Sequence, residues 1–487
     1  MFNADISEKN KLIFCFGLEP NLVSNYYFIL LLLCTGGNGL FAQTSAVPDA
    51  AAAQVVEQLF DASLSDSRCY SWLEHLCLHV GHRLSGSTGA EKAVAWTKSV
   101  LDTLGLDSVW LQPVMVPHWE RGAPELVRIH RRGAPLVLPA LALGGSVATP
   151  GKGIEAEVVE IKRWEQLDSL GSAGRLQGKI VFYNRPMEST HLRTFEAYGG
   201  AVDQRVHGAS RAAKHGAVAM LVRSMGLRID DFPHTGTLRY DSAHALIPAA
   251  AISTRAAEQL HQVLQNEGKA SVFISLHCRT LPDVPSYNVI GEIRGFEKPE
   301  EVMLVGGHLD SWDVGHGAHD DGAGCVQSME VLRLFKKIGY RPRHTVRCVL
   351  FMNEENGLRG GQAYAREAQR KHEFHDLAIE SDAGGFTPRG FSFDAEPAVL
   401  ATRFAEVQAL APVLSKYGLH ELRMGGSGAD IGPLKPQGGL LGGYVPDSQR
   451  YFDYHHTAAD VFEAVNKREL ELGAASMAAL VYLMDRL

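Results

Sequence analysis

Residues 305–324 read VGGHLDSWDVGHGAHDDGAG. An apolar run, Val302–Val305, enters this stretch, glycines break it, and it carries His308, Asp310, Asp313, His316, His319, Asp320 and Asp321. Imidazole and carboxylate are ligands that suit zinc. Burying so dense a set beside apolar sequence costs too much unless the charge is compensated, and a bound divalent cation compensates it. The plain alternative is a solvated acidic loop with incidental histidines.

Three other places repeat the pattern. Val349–Met352 leads to Asn353-Glu354-Glu355-Asn356-Gly357. Leu377–Glu380 leads to Ser381-Asp382-Ala383-Gly384-Gly385. Tyr451–Tyr454 leads to His455-His456-Thr457-Ala458-Ala459-Asp460. Each apolar run delivers an acid or an imidazole near its end, which is where open α/β sheets carry their sites. One such ending is ordinary; four argue for a single convergent centre.

The elements that must position these residues show in the periodicity. Residues 48–62 predict a helix with Val55, Val56, Leu59 and Phe60 on one face, and Arg68–His79 a second. Ser87 or Thr88 caps a third, running to about Leu104, with Glu91 in its first turn. Val109–Val116, Asn288–Ile293, Val302–Val305 and His344–Met352 predict strands, and Cys325–Phe335 an apolar-faced helix. Strands alternating with helices predict a doubly wound, mostly parallel α/β sheet. Between about 126 and 283 the texture changes to short strands (Leu136–Leu143, Glu155–Glu160, Lys179–Tyr183, Val218–Val222, Val272–Leu276) with helices over Gly208–His215 and around Leu260. This predicts an inserted α+β domain between segments 48–125 and 284–487 of the main one.

Length and composition agree: 487 residues, 45% of them hydrophobic, supply more core than one simple domain needs. The net charge of −8 and the lack of a Lys/Arg block argue against a nucleic-acid partner. The apolar segment Tyr26–Leu33 is short for a membrane span of about 20 residues. Followed by small residues and Leu40-Phe41-Ala42-Gln43, it resembles a secretory signal cleaved after Ala42, so residues 1–43 are expected to be signal-like and the mature chain secreted or periplasmic. A lipid-anchored Cys34 and a buried helix of the mature fold are the alternatives. Of the seven cysteines none forms a CxxC pair, so disulfides are not expected to hold the fold.

Taken together, GGHLDSWDVGHGAHDDGAG, FMNEENGLRGG, ESDAGG, YHHTAAD and the upstream GHRLSGS resemble the carboxypeptidase Q-like co-catalytic dizinc exopeptidases. The insertion, with GKIVFYN, GAVAMLV and HTGTLRYDSAHALIPAAAIS, resembles that family's protease-associated domain. The resemblance implies two zinc ions, one on His308 and Asp382, the other on Glu355 and His456, with Asp320 bridging. His456 is chosen over His455 because only His456 starts the His-Ser/Thr-x-x-Asp pattern, and His316 and His319 lie off it. Asp310 is implied to orient His308 from behind, and the peptide between Asp320 and Asp321 to be cis. Glu354 is implied to be the general base acting on a water activated between metals about 3.5–4 Å apart. The loop Gly425–Asp430, with Ser427, Gly428 and Asp430, resembles one beside the substrate whose amides meet a carboxylate or oxyanion, although a plain glycine-rich turn fits its sequence equally. The implied activity is hydrolysis of dipeptides or short peptides, with a homodimer possible. An aminopeptidase on longer peptides, a one-zinc glutaminyl cyclase and a non-catalytic receptor-like relative are the rivals.

Overall fold

The computed structural model describes residues 50–130 and 134–487, and the signal-like segment lies outside them. Five cysteines of the described residues are free and buried.

The sheet that carries the site has eight strands, in the order Ser108–Glu120, Arg279–Ile293, His344–Phe351, Lys298–His308, Phe374–Glu380, Leu440–Pro446, Pro388–Asp394 and Glu421–Met424. The four middle strands, from His344–Phe351 to Leu440–Pro446, run parallel. On one flank both pairings are antiparallel; on the other Leu440–Pro446 pairs antiparallel with Pro388–Asp394, which pairs parallel with the edge strand Glu421–Met424. The continuous apolar run at Val302–Val305 reflects burial on both faces. Met303 and Val305 enter the core shared with helices Ala50–Asp66, Ala323–Ile338 and Lys467–Asp485. Val302 and Leu304 enter a second core beneath Tyr364, Ala365 and Ala368 of helix Arg359–Lys371. Helices on both faces of a parallel centre make the doubly wound arrangement that the alternation predicted.

Residues 126–275 build a second eight-stranded sheet, in the order Leu136–Leu138, Leu126–His130, Ser271–Ser275, Ile154–Ile161, Ile180–Tyr183, Ala219–Arg223, Ala249–Ile252 and Ala140–Ala142. The expected single strand Leu136–Leu143 is broken at Pro139, which has no N–H for a ladder. Its two pieces form opposite edges of the sheet, so the sheet must curl to bring them together. The helix expected from Gly208 begins earlier, at Asp203. Helix Arg68–His79 ends as a wider turn over Leu76–Val80, and Tyr451–Asp453 is a 3-10 turn rather than a strand.

The two sheets share packing: Tyr451, Phe452 and Phe386 join the core of the second sheet's helices, and Trp312 joins the core on its other face. Both sheets lie within one compact unit.

Candidate metal centre and active site

The parallel register explains the convergence. His308 ends its strand opposite Phe351, and Gly306 of the same strand faces Glu380. The loops that follow all leave from one edge of the sheet: Asp310–Asp321 after His308, Asn353–Glu355 after Phe351, and Ser381–Asp382 after Glu380.

Asp320 sits at the middle. Its Oδ1 lies 3.2 Å from His308 Nε2 and its Oδ2 3.3 Å from His456 Nε2. Asp382 Oδ1 is 3.4 Å from His308 Nε2, and Glu355 Oε2 is 3.1 Å from His456 Nε2. Donor atoms of His308, Asp320 and Asp382 lie within 4.8 Å of one another, as do those of Asp320, His455 and His456. His455 is thus nearby, but its Nε2 stands 3.9 Å from Asp320, and its ring stacks on His456 with centroids 3.5 Å apart.

The surroundings fit a cationic occupant. Asp320 Oδ2 and Glu355 Oε1 are buried without a hydrogen-bond partner, which in a folded protein calls for a ligand or ion. Burial, and then the charges of Asp382 and Asp310, push Glu354 up to about 8. Burial and neighbouring carboxylates also push Glu355 well above the ordinary range. Acids held so unfavourably close are the donors a hard or borderline divalent cation demands.

The backbone is bent to present these groups. Asn353 and His456 have φ of 77° and 62°, left-handed values uncommon outside glycine. The peptide Asp320–Asp321 is cis. Asp321 accepts the His308 and Gly324 amides at 3.0 and 2.9 Å, and Asp460 accepts those of His319 and Asp320 at 2.8 and 3.1 Å. Arg83, fully buried, donates to the carbonyls of Leu309, His316 and Gly317 at 2.6, 2.7 and 2.9 Å, fastening the loop between His308 and Asp320.

Asp310 contacts His308 through its backbone. Its carbonyl, not its carboxylate, accepts from His308 Nδ1, at 3.0 Å, while the carboxylate Oδ1 stands 3.8 Å from that nitrogen. The carboxylate instead receives the amides of Asn353, Glu354 and Glu355 at 2.7, 3.0 and 3.4 Å. It sets the turn that presents both glutamates, because a charge pointed at three consecutive amides outcompetes one imidazole.

The substrate loop also needs correction. The amides of Ala429, Asp430 and Ile431 are taken at 2.9, 3.0 and 2.9 Å by the buried carboxylate of Glu380. They are therefore not available to a substrate. Asp430 is fully buried and accepts from the Gly361 amide at 3.2 Å. Gly428 is glycine because a Cβ would come within 2.1 Å of the Glu380 carboxyl carbon. Only Ser427 and Gly428, of the three, line a cavity.

A cavity of about 550 Å³ opens over the centre, lined by Asp320, Glu354, Glu355, Asp382, His455 and His456. Its opposite wall comes from the second sheet's segment, through Tyr198, Arg205 and Thr237–Arg239. That segment also orients a donor. His456 Nδ1 lies 3.3 Å from the Thr235 carbonyl, and the Thr235 amide donates back to the His456 carbonyl at 3.0 Å. With Nδ1–H held by a carbonyl, Nε2 is the free donor atom. Thr235 carries no sequence signal of this role, since the bond uses only its backbone.

A parallel α/β sheet whose strand ends converge on carboxylates and imidazoles sharing one aspartate is the scaffold of a metallo-exopeptidase. The sequence matches Peptidase family M28 over residues 288–481. It is 36% identical over 421 residues to human carboxypeptidase Q and 37% identical over 423 residues to the rat protein; the human match covers 86% of each chain, the rat match 86% of this chain and 85% of the relative. The fold superposes on the Peptidase M28 precursor of Shewanella amazonensis with a TM-score of 0.83 at 34% identity, over 90% of this chain and 97% of that one. A zinc aminopeptidase of Bacillus subtilis shares the fold, with a TM-score of 0.60 at 21% identity over 86% of this chain and 95% of the other. The chain belongs to the carboxypeptidase Q family of M28 peptidases.

Proposed function

We propose that the chain is a dizinc exopeptidase that cleaves dipeptides or short peptides. The observation that carries this reading is the Asp320 carboxylate, whose two oxygens reach imidazoles from opposite sides, His308 at 3.2 Å and His456 at 3.3 Å. His308 and Asp382 would hold one zinc and Glu355 and His456 the other, with Asp320 shared between them. Bound there, the metals supply Lewis acidity for the scissile carbonyl and a water of lowered pKa. Glu354, lining the cavity beside these groups, takes the water's proton and returns it to the leaving amine. Asp310 holds Glu354 in place through the backbone, and Thr235 holds the His456 tautomer.

In the same reading residues 126–283 are an inserted domain of protease-associated type, and the mature chain is exported after cleavage near Ala42. Aminopeptidase action on longer peptides would use the same donors, and is the second reading because a solved zinc aminopeptidase shares the fold.

The test combines metal analysis with dipeptide hydrolysis. About two zinc ions per chain, activity abolished by a chelator, and a Glu354→Gln variant that keeps its zinc but loses about 10²–10⁴-fold in kcat support the reading. One zinc per chain would turn it toward a cyclase, and full activity of Glu354→Gln would overturn the assignment of the base.

A further inference from the structure

Where the chain passes from the catalytic sheet into the second one, a guanidinium spans the junction. Arg121 directly follows strand Ser108–Glu120 and precedes strand Leu126–His130. Its Nε donates to Asp313 Oδ2 at 2.9 Å, and its Nη2 donates to the other oxygen of that carboxylate. Nη1 donates to Glu125 Oε1 at 3.2 Å and to the Ala142 carbonyl. Nη2 also donates to Thr235 Oγ1 at 3.3 Å. Burial works against the charge, and Asp313 and Glu125 more than offset it. A planar fork that meets a carboxylate bidentately fixes direction as well as distance. Asp313 belongs to the loop between His308 and Asp320, whereas Ala142 and Thr235 belong to the second sheet's segment. The guanidinium is thus a clamp between that loop and that segment.

The clamp acts on one half of the metal centre. Thr235 is fully buried, its carbonyl lies 3.3 Å from His456 Nδ1, and its amide donates to the His456 carbonyl at 3.0 Å. Beside Asp313, Trp312 packs on the same segment. A Cβ on Gly144 would come within 1.9 Å of the indole, and the Gly144 amide donates to the Gly236 carbonyl, next to Thr235, at 3.0 Å. The indole in turn meets the His456 ring edge-on, with centroids 5.6 Å apart. The other half is held within the catalytic sheet. His308 Nδ1 lies 3.0 Å from the Asp310 carbonyl, and Asp382 directly follows strand Phe374–Glu380 and its Ser381. The two halves therefore differ in what positions them.

We infer that Arg121 is a positioning residue that couples the seating of the second sheet to the Glu355–His456 half of the metal centre, so that this half binds zinc tightly only while the clamp holds Thr235 against His456. This rests on the dizinc reading and adds to it a dependence of one metal, and not the other, on the junction between the sheets. The outer partner of a ligating imidazole sets its tautomer and ring orientation, and losing that partner costs about 10–100-fold in metal affinity. With the Thr235 carbonyl displaced, Nδ1–H is released, the ring exchanges tautomers, and Nε2 is no longer the fixed donor.

The test is competition between the full-length protein and a zinc chelator, resolved into its binding steps, with histidine nitrogen NMR of the zinc-free protein as a second readout. Arg121→Met should weaken one step about 10–100-fold and leave the other within about threefold. The same variant should turn the His456 signal from one tautomer into a mixture while the His308 signal stays as it is. Arg121→Lys keeps the charge without the fork and should give an intermediate loss. Where Arg121→Met does not fold, Thr235→Val decides, because it removes only the hydroxyl that joins the clamp to this peptide. It should weaken the same step, and adding Arg121→Lys to it should cost little more, as for two residues acting through one contact. Equal loss at both steps, or no loss at either, overturns the inference, as does a His456 tautomer unmoved by Arg121→Lys and Thr235→Val. A parent protein with a single zinc step sinks the dizinc reading instead, and the histidine spectrum of the zinc-free protein still judges the clamp.

Discussion

Replacing Arg83 by Met should loosen the metal centre without touching a metal ligand. The side chain is fully buried, and its guanidinium donates to three carbonyls of the loop joining His308 to Asp320 at 2.6–2.9 Å. Hydrogen bonds to a charged group are worth about 1.5–3 kcal/mol each, so three bonds give a gross loss of roughly 4.5–9 kcal/mol. Removing the guanidinium also relieves its own desolvation, which costs several kcal/mol for a buried ion, and methionine refills part of the space. The net destabilisation should be about 3–5 kcal/mol. Because the freed carbonyls belong to the loop that sets the His308-to-Asp320 distance, zinc affinity should fall about 10–100-fold, the usual cost of losing an outer-shell support. Guanidinium unfolding of the chelator-treated protein measures the first quantity and competition with a zinc chelator the second. A stability loss below about 1 kcal/mol with unchanged zinc affinity would refute the argument that these three bonds hold the loop.

Two further outcomes follow from the same contacts. Asp320→Asn should weaken both metals together, read as parallel loss of zinc on dialysis, since one carboxylate serves both sides; loss of a single zinc would count against bridging. Asp485, at the end of helix Lys467–Asp485, accepts the amides of Arg343 and His344 at 2.8 Å each and pairs with His344 Nδ1 at 2.8 Å. Burial works to raise its pKa, but the bonds from His344, Tyr340 and Arg343 override it and hold the carboxyl below its ordinary value. A depressed folded value stabilises above the unfolded one, near 3.9, and is lost as pH falls through the folded one. Asp485→Asn should therefore cost about 1–3 kcal/mol at neutral pH. The gap to the parent protein should be flat above about pH 5 and close below pH 4; a gap that widened on acidification would contradict the assignment.

The alternation of apolar runs with polar endings was enough to predict the sheet, because the burial of Val302–Val305 on both faces leaves a continuous apolar run in one dimension. It also nominated the four clusters that begin at His308, Glu354, Asp382 and His455, while the choice of His308, Glu355, Asp382 and His456 within them came from the family resemblance. Backbone-mediated roles were not legible. Asp310 holds its imidazole by the backbone carbonyl and spends its carboxylate on three amides; Asp430 was expected at the substrate and is buried behind Glu380. In both cases competing partners come from segments distant in sequence, and nothing local distinguishes them.

By itself, the sequence determined the alternation of strands and helices and which acids and imidazoles stand just past the apolar runs, because residue type and hydrophobic period are local properties. The tertiary structure alone decided that Asp320 faces His308 and His456 at once, that the Thr235 carbonyl fixes the second imidazole, and that Arg205 closes the cavity from the other sheet. Those are facts about distances between segments, set by strand register and by the packing of the two sheets, and they exist only once the chain has folded.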